Sequence, residues 1–343
     1  MKLITDYATP YELSVAARVS AQDRERTDNK LAEILPTENV DGVTITLVSG
    51  ADGRVEVAEY RAFDAETSFG HTDATGKRQI VELAPLGQQA RVSEHDRLIQ
   101  RNSSTPDRVK QILGRKSVDL GRAVADRLEM ARGQVLQTGK LTINENGFQA
   151  EVDFQRDPSM TVDAATPWTD SSVDVIQEYA DWVEAYIELN GEAPAYGLAS
   201  RRVITAFKKA DVFGKVVSGP DAVYQRRATT ADVQQFLSDE GLPPLKEYNR
   251  KVRKNGSAVD VIDPDVMVFV PSAASGAGST AMGTTLESLS PRYGIVPGEE
   301  AGIVVGAYES DNPMGLYLNS AALGVPVLHD ANKFMAANVL GTP

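Results

Sequence analysis

Cysteine is absent from this 343-residue sequence, and histidine is almost absent. Without cysteine there is no disulfide framework, no thiolate nucleophile and no zinc–thiolate site, which fits a protein made in a reducing cytoplasm. The three histidines are His71, His95 and His329. Their spacing matches neither H-E-x-x-H nor a pair of metal ligands. We therefore predict no metal or other cofactor, and we expect the histidines at the surface.

Long apolar runs and an excess of positive charge are missing as well. The segment before Asp6 has too short an apolar run for a signal peptide, and no window approaches the roughly 20 apolar residues of a membrane span. Asp and Glu number 48 against 35 Lys and Arg, so the net charge is -13. That charge disfavours nonspecific binding of nucleic acid over most of the surface, but a local basic patch stays open.

The length allows two domains of ordinary size, or one domain with large projections. At the N-terminus, Thr9 is followed by proline and, three residues on, by Glu12, which is a helix-capping pattern. We predict a helix from Pro10 to Ala21. The charged run that follows it is interpreted as a solvated segment.

The next part of the sequence predicts strands. Residues 43–50 and 54–63 alternate between apolar and polar side chains, and an Asp-Gly pair lies between them. Residues 64–79 are polar and rich in turn formers, and an extended pattern then resumes. We interpret Val40 to Val92 as a long projection built from strands, whose outer tip lies near residues 71–76.

A helix of unusual length follows, from Pro106 to Thr138. At about 1.5 Å per residue it spans about 50 Å. Gly114, Gly121 and Gly133 lower its intrinsic stability, so packing must hold it in place. One face is apolar, and it comprises Val109, Ile112, Leu113, Leu120, Val124, Leu128, Ala131 and Val135. Directly after the helix, alternation about Asn146-Gly147 predicts a β-hairpin.

The remaining sequence alternates between strand and helix patterns up to about residue 299 and then returns to strands. Ser172 is predicted to cap a helix that ends at Gly191, and Thr229 a shorter one. Two strands are predicted on either side of Asp263-Pro264. The last strands are predicted as four separate segments, which are residues 302–310, 315–323, 325–330 and 333–340.

Two glycine-rich stretches resemble nucleotide-binding motifs, but their contexts do not fit. Residues 276–281, GAGSTA, match G-x-G-x-x-A, yet they begin six residues past the preceding strand, and Pro291 and Pro297 prevent a full crossover helix. We interpret them as a flexible surface loop. Residues 70–77, GHTDATGK, have five residues between the glycines, and Arg78 stands where a magnesium-binding hydroxyl is needed.

The other polar clusters are also better explained by structure than by chemistry. Asp263 and Asp265 flank a proline between strands, which is typical of a turn. The basic cluster of Arg201, Arg202 and residues 207–215 is interpreted as a solvated helix face, with a nucleic-acid patch as the less favoured alternative. Because no constellation of acid, base and nucleophile is present, the sequence does not predict an enzyme.

The chain resembles the lambda-type major capsid proteins of tailed bacteriophages, the capsid protein E family, in the order of its elements and in the amino-acid sequence of several of them. Proteins of that family have the Hong Kong 97-type fold. The resemblance rests on stretches that keep the same order in the chain: LAEILPTENVDGVTITLV, RLEMARGQVLQTGKLTI with FQAEVDF, ELNGEAPAYGLAS before VITAFKKADVFGK, DPDVMVFVP, and LYLNSAALGVPVLHDANKFMAANVL.

The resemblance implies an α+β fold with an N-terminal arm, an extended loop (E-loop), a peripheral domain with a long spine helix, and an α/β axial domain. The arm and the extended loop would reach neighbouring subunits. The implied ranges are 1–36 for the arm, 37–92 for the extended loop, 93–160 with 300–343 for the peripheral domain, with the spine helix at about 106–138, and 161–299 for the axial domain.

Contacts between subunits are implied near the tip of the extended loop. The candidate contact residues are Phe69, His71, Lys77 and Arg78. Some relatives crosslink a lysine of this loop to an asparagine of a neighbour, which would here join Lys77 to Asn332 or Asn338, although lambda-type relatives do not generally crosslink.

The function implied is that of a structural protein, the major capsid protein, which assembles as hexamers and pentamers into an icosahedral shell around double-stranded DNA, without sequence-specific DNA binding or contact with a membrane. The implied partners are a separate scaffolding protein, because the arm is short, together with a portal and a decoration protein. Assembly in the cytoplasm of the bacterial host is implied. An encapsulin-like nanocompartment shell and, more remotely, a nucleotide-dependent enzyme are the alternatives.

Overall fold

The computed structural model describes residues 2–49, 77–92, 106–213, 228–272, 274–311 and 314–341. The helices in these ranges are α1 Pro10–Thr27, α2 Pro106–Thr138, α3 Val175–Asn190, α4 Arg201–Lys209, α5 Thr230–Asp239, α6 Ala274–Ala277 and α7 Leu286–Leu289. The strands are β1 Lys2–Leu3, β2 Thr37–Asn39, β3 Thr44–Ser49, β4 Lys77–Glu82, β5 Pro85–Val92, β6 Lys140–Glu145, β7 Phe148–Asp153, β8 Thr161–Asp163, β9 Tyr196–Ala199, β10 Leu245–Glu247, β11 Lys251–Lys254, β12 Ser257–Asp260, β13 Val266–Val270, β14 Gly278–Gly283, β15 Val304–Asp311, β16 Met314–Leu328 and β17 Met335–Asn338.

A six-stranded sheet is organised around β16, in the order β1-β15-β16-β14-β2, with β5 also paired to β16. The prediction of two separate strands at 315–323 and 325–330 was wrong, because β16 is continuous over 15 residues. Its first half pairs with both β15 and β5, and its second half pairs with β14. Since β5 lies in this sheet, the end of the predicted projection, Pro85–Val92, belongs to the body of the subunit.

Helix α2 packs along this sheet with the apolar face that its sequence predicts. Leu120, Val124, Leu128 and Val135 are all less than 5% exposed. A Cβ added at Gly121 would lie 2.1 Å from the carbonyl oxygen of Ala17 in α1, so this glycine lets the two helices approach closely. The glycine therefore lowers the helix propensity of α2 but makes room for the packing that holds the helix in place.

The end of α2 and its turn into the hairpin are fixed by one arginine. The backbone at Gly139 turns with a φ of +66°, which is in the left-handed region, and the Arg156 side chain packs beside it. The Arg156 guanidinium donates hydrogen bonds to the carbonyl oxygens of Gln137 at 3.0 Å and Leu136 at 2.7 Å. These bonds satisfy carbonyl groups that a helix C-terminus otherwise leaves without partners. Burial lowers the pKa of Arg156 to about 10.

The second sheet has five strands in the order β10-β9-β13-β17-β8. Helices α3, α4 and α5 cover it, and their aromatic side chains, including Tyr179 and Phe207, form a core with Phe269 of β13. Strand and helix alternate here as the sequence predicts. The implied boundary between the axial domain, 161–299, and the peripheral domain, 300–343, does not coincide with the division between the two sheets. β14 lies in the first sheet although it precedes residue 299, and the C-terminal β17 lies in the second sheet.

Three ribbons of two strands complete the described structure. β6 and β7 form the predicted hairpin, whose turn residues Asn146 and Gly147 have φ values of 49° and 83°. β11 and β12 form a second hairpin. β3 pairs with β4 from Thr44↔Glu82 to Ser49↔Lys77, so β4 begins inside the stretch that was predicted to be turns. The predicted strand at 54–63 and the predicted tip at 71–76 lie outside the described residues.

Two helix boundaries and one loop differ from their predictions. Helix α1 continues through the charged run to Thr27, because charges at its end pair with α2. Helix α3 is capped by Asp174, whose side chain accepts a hydrogen bond from the Gln177 backbone N–H, and not by Ser172. The predicted surface loop at 276–281 is wrong from Gly278 onward, since Gly278–Gly283 is the buried strand β14.

Candidate assembly surfaces

The second glycine of the GAGSTA stretch, Gly278, serves strand packing, whereas a Cβ added at Gly276 would meet nothing within 4 Å. A Cβ added at Gly278 would lie 2.5 Å from Leu35 Cδ2 and 2.8 Å from the Val327 carbonyl oxygen. The backbone therefore approaches its own neighbours here, which leaves no room for a phosphate group. The loop between a strand and a helix that dinucleotide binding needs is replaced by a central strand of the sheet.

The other polar candidates hold local structure. Asp263 accepts a hydrogen bond from the Asp265 backbone N–H at 2.9 Å, which confirms the predicted turn. Asp265 forms an ion pair with Arg202 at 2.9 Å. His329 is exposed, as predicted, with its Nε2 atom 3.2 Å from Ser279 Oγ. In the part of the chain that the structure describes, no group of His, Asp and Glu could hold a metal ion, and no helix is long and apolar enough to cross a membrane.

The structure places only part of the predicted contact set. Arg78 is exposed in β4, and Lys77 is the first residue of that strand. Phe69 and His71 lie outside the described residues, as does His95. Asn332 and Asn338 both make local hydrogen bonds: Asn332 Oδ1 accepts from the Asp157 backbone N–H at 2.8 Å, and the Asn338 amide donates to Asp163 at 3.0 Å. The crosslink therefore stays a prediction.

The β3–β4 ribbon has one buried face and one exposed face. Leu47 and Val81 are 2% and 1% exposed, and they pack into the core below the ribbon. On the opposite face, Ile80 is 69% exposed and Arg78 lies beside it. Glu82 is exposed on the same face, so Ile80 lies between a positively and a negatively charged side chain.

A second uncovered surface lies at the base of the ribbon. It is a groove of about 740 Å³ between the start of β3, the start of β5, the middle of β16 and the loop that contains α7. Leu286, Leu289 and Val43 are 84%, 61% and 52% exposed. Among the described residues that line the groove, Asp41, Glu287 and Glu300 are acidic and none is basic. The groove is therefore partly apolar and carries negative charge.

A buried ion network joins α2 to the rest of the subunit. Glu129 and Arg132 are both 0% exposed and form an ion pair at 3.4 Å. Glu129 accepts hydrogen bonds from the Leu31 backbone N–H at 2.9 Å and from the Tyr248 hydroxyl at 2.7 Å. Burial raises the pKa of Glu129 above its ordinary value, against the opposing effect of Arg132.

Arg132 extends this network to α1 and to the six-stranded sheet. Its guanidinium donates to Glu25 and to Thr37, both at 2.7 Å, and to Thr280 of β14 at 2.8 Å. Leu31, Thr37, Tyr248 and Thr280 each lie more than 90 residues in sequence from their partner in this pair, and no sequence pattern connects them to it. The one local signal is that Arg132 lies four residues after Leu128, on the apolar face of α2.

A second polar cluster lies one turn earlier on α2. Asp126 accepts hydrogen bonds from Arg24 at 3.1 Å, Asn29 at 3.1 Å and Arg250 at 3.0 Å. Burial alone would raise the pKa of Asp126, but these bonds outweigh it and hold that pKa below its ordinary value. Together the two clusters tie the N-terminal segment and the loop between β10 and β11 to the same part of α2.

The N-terminal segment packs on its own subunit. β1 pairs with β15, and the buried Ser14 hydroxyl accepts a hydrogen bond from the Val305 backbone N–H at 2.9 Å. Arg18 donates to the carbonyl oxygens of Ile303 and Glu299, both at 2.8 Å. Sequence reasoning did not predict this attachment, because nothing in residues 1–36 indicates which surface they cover.

The chain matches one known protein family in sequence and several solved structures in fold. The phage major capsid protein E family matches residues 31–339 of the chain. No curated protein matches it at the sequence level.

Among solved structures, a phage-related protein from Bordetella bronchiseptica RB50 is similar over 95% of this chain and 97% of its own, with 14% identity and a TM-score of 0.59. A putative capsid protein of a prophage from E. coli CFT073 is similar over 94% and 97%, with 15% identity and a TM-score of 0.58. A chain of the satellite phage P4 procapsid is similar over 94% of this chain and 99% of its own, with 7% identity and a TM-score of 0.51.

These structures share the fold of this chain, which is the Hong Kong 97-type fold. The family match runs from the segment before β2 to β17, so it includes α2, the β3–β4 ribbon and every strand of the two sheets except β1. A shell-forming structural role follows from the family. The chain belongs to the phage major capsid protein E family.

Proposed function

We propose that this protein is the major head protein of a tailed bacteriophage and that it assembles as hexamers and pentamers into an icosahedral shell around double-stranded DNA. The observation that carries the proposal is the family match across nearly the whole chain. The uncovered apolar surfaces on the ribbon and in the groove support it, because a shell subunit must bury part of its surface against other copies.

The domain roles that the resemblance implies can be redrawn on the sheets. The six-stranded sheet with α1 and α2 would form the peripheral domain, and the five-stranded sheet with α3 to α5 the axial domain. The β3–β4 ribbon would be the base of the extended loop. Support for this assignment comes from the pairing of the strands and from the length of α2, and it replaces the division at fixed residue numbers.

Partners and location are proposed from the family alone. A scaffolding protein and a portal would act during assembly, a decoration protein would bind the finished shell, and assembly would take place in the bacterial cytoplasm. The role is purely structural, without enzymatic activity. The motif contexts support this, since the GAGSTA stretch is a buried strand in its second half.

The proposal is tested by expressing the protein in bacteria, alone and together with the scaffolding protein of the same phage, and separating the products by sedimentation. Negative-stain electron microscopy is expected to show closed particles, and nuclease-treated particles from infected cells are expected to retain double-stranded DNA. Particles that enclose a protein cargo and no nucleic acid would support the encapsulin-like alternative. A product that stays monomeric across protein concentration and ionic strength would contradict both.

A deletion separates assembly from folding. Ser49 and Lys77 are paired residues of β3 and β4, so replacing residues 50–76 by Asn-Gly closes the ribbon with a two-residue turn. We expect the shortened protein to melt near the parental temperature and to form no shells, because the described core is untouched and the proposed extended loop is gone. Particles of parental size would show that residues 50–76 do not join subunits.

A further inference from the structure

The start of β15 is covered, on the side away from β16, by side chains of α1. The Ser14 hydroxyl accepts a hydrogen bond from the Val305 backbone N–H at 2.9 Å, and the Arg18 Nε atom donates to the Ile303 carbonyl oxygen at 2.8 Å. Ser14 and Arg18 are one helical turn apart, which is a rise of about 6 Å, and residues 303 and 305 are about 6.6 Å apart along an extended strand. Because the two spacings match, α1 binds this strand edge at consecutive positions and covers it.

The same arginine also binds the loop that precedes β15, residues 290–303. Its Nη1 atom donates to the Glu299 carbonyl oxygen at 2.8 Å. Its guanidinium lies against Gly302, where an added Cβ would be 3.6 Å from Arg18 Nε. The third nitrogen, Nη2, is buried without a hydrogen-bond partner, so the bonds of Nε and Nη1 hold the guanidinium in place. Arg18 therefore joins three parts of the subunit, which are α1, the loop and the strand edge.

The loop depends on such anchors, because its own hydrogen bonds are local. The Glu299 backbone N–H, for example, donates to the Val296 carbonyl oxygen at 3.0 Å, and residues 296–299 are exposed. Tyr293 is only 6% exposed, and its hydroxyl contacts that of Tyr308. Segments with exposed backbone bonds and few buried apolar contacts open locally before the whole domain unfolds. Tyr293 thus anchors the first part of the loop, and Arg18 anchors the last part.

We propose that Arg18 couples the docking of α1 to the order of residues 290–303, so that release of the N-terminal helix also releases the loop. The loop contributes Glu300 to the groove at the base of the ribbon, so docking of α1 also fixes one wall of that groove. A coupling free energy is reciprocal, and loosening the loop must therefore loosen α1. The coupling operates within one subunit and goes beyond the proposed assembly function.

Limited digestion with trypsin measures the effect of Arg18 on the loop. Full-length subunits are kept unassembled at low protein concentration, and cleavage after Arg292, which precedes the buried Tyr293, is located by mass spectrometry. Arg18→Met keeps the apolar stem but removes both hydrogen bonds. Loss of a hydrogen bond from a charged donor shifts an equilibrium by about tenfold or more, so we expect cleavage after Arg292 to be faster by at least that factor. Arg26→Met, at an 80% exposed position of the same helix, is the matched control and should leave the rate unchanged.

Hydrogen exchange measures the reciprocal effect of the loop on α1. Gly302 has a φ of +113°, which residues with a side chain rarely adopt. Gly302→Ala therefore destabilises the bound form of the loop, whereas its Cβ would make only ordinary van der Waals contact with Arg18. We expect faster exchange of the α1 amides around Arg18 than in the parent, while the amides of the buried strand β13 exchange at the parental rate.

Each result either supports or overturns the coupling. A parental rate of cleavage after Arg292 in folded Arg18→Met shows that the loop does not depend on Arg18. Parental exchange of the α1 amides in Gly302→Ala shows that the loop and the helix are not coupled. If Arg18→Met does not fold, Arg18→Lys, which keeps the charge, takes its place: faster cleavage with a near-parental melting temperature supports the coupling, and a parental rate overturns it. Failure to form shells would contradict the proposed function and leave these measurements unaffected.

Discussion

Removing the cation of the buried Glu129–Arg132 pair should cost a large share of the stability of the subunit. Arg132→Met keeps the length and the apolar part of the side chain but leaves Glu129 charged, fully buried and without its counterion. Breaking a buried pair on one side typically costs about 3–5 kcal/mol. Two hydrogen bonds to Glu129 remain, from Leu31 and Tyr248, so we expect a loss near the lower end of that range. Since folded domains are stable by about 5–15 kcal/mol, the effect is readily measured.

The pH dependence of this loss has a definite sign. Burial holds the pKa of Glu129 above its ordinary value of 4.5, and removing Arg132 raises it further because the cation opposes that shift. A carboxyl whose folded-state pKa is raised binds more protons in the folded state than in the unfolded state between the two pKa values. Stability therefore increases as the pH falls through that window. The deficit of Arg132→Met should be largest near neutral pH and should shrink as the pH approaches 4.5.

Urea unfolding measures both quantities. The fluorescence of Trp168 and Trp182, which lie in the core of the second sheet, is recorded together with circular dichroism at several pH values above 5. Arg26→Met is the matched control, because the Arg26 side chain is 80% exposed and its ion pair is with the exposed Asp23 on the same helix, so its effect should stay within about 0.5 kcal/mol. A loss below about 1 kcal/mol for Arg132→Met, or a deficit that grows as the pH falls, would refute the reasoning.

Two further changes test the packing of α2. Leu128→Asp places a charge on a side chain that is 4% exposed, at a cost of several kcal/mol, and we expect insoluble or degraded protein; soluble subunits with a normal melting temperature would contradict the burial of this face. Gly121→Ala should destabilise the protein, because its Cβ would overlap the Ala17 carbonyl group, whereas Gly114→Ala has nothing within 4 Å and should stabilise it by roughly 1 kcal/mol through helix propensity. Thermal melting compares the two variants. Equal shifts in melting temperature would show that the contact between α1 and α2 at Gly121 can accommodate a methyl group.

Local patterns predicted the elements that local physics determines. The length of α2 follows from its unbroken apolar periodicity, and the β6–β7 turn from Asn146-Gly147, since both signals lie within a few residues of one another in the chain. The capping patterns at Thr9 and Thr229 likewise gave the starts of α1 and α5.

The rest depends on contacts between distant segments. The end of α1 was predicted too early because the charged run looks solvated in isolation, whereas Arg24 is held by Asp126 on a different helix. Gly278–Gly283 reads as a loop because its residues are small, and it becomes a strand only because β2 and β16 lie on either side of it. The groove has no sequence signature, since it is formed where four separated segments meet.

The agreement in length between α2 and β16 has a mechanical consequence. At about 3.3 Å per residue the 15 residues of β16 extend about 50 Å, which equals the length of the 33-residue helix. The two run side by side, since Leu128 contacts Gly324 and Arg132 reaches Thr280, the partner of Pro326 in the sheet. In the proposed shell, packed DNA would push outward and load each subunit with tension in the plane of the shell. Tension along β16 would load the hydrogen bonds of its ladders in shear, many at once, whereas tension across β16 would pull the paired strands apart. The subunit would therefore resist stretching along β16 more than stretching across it.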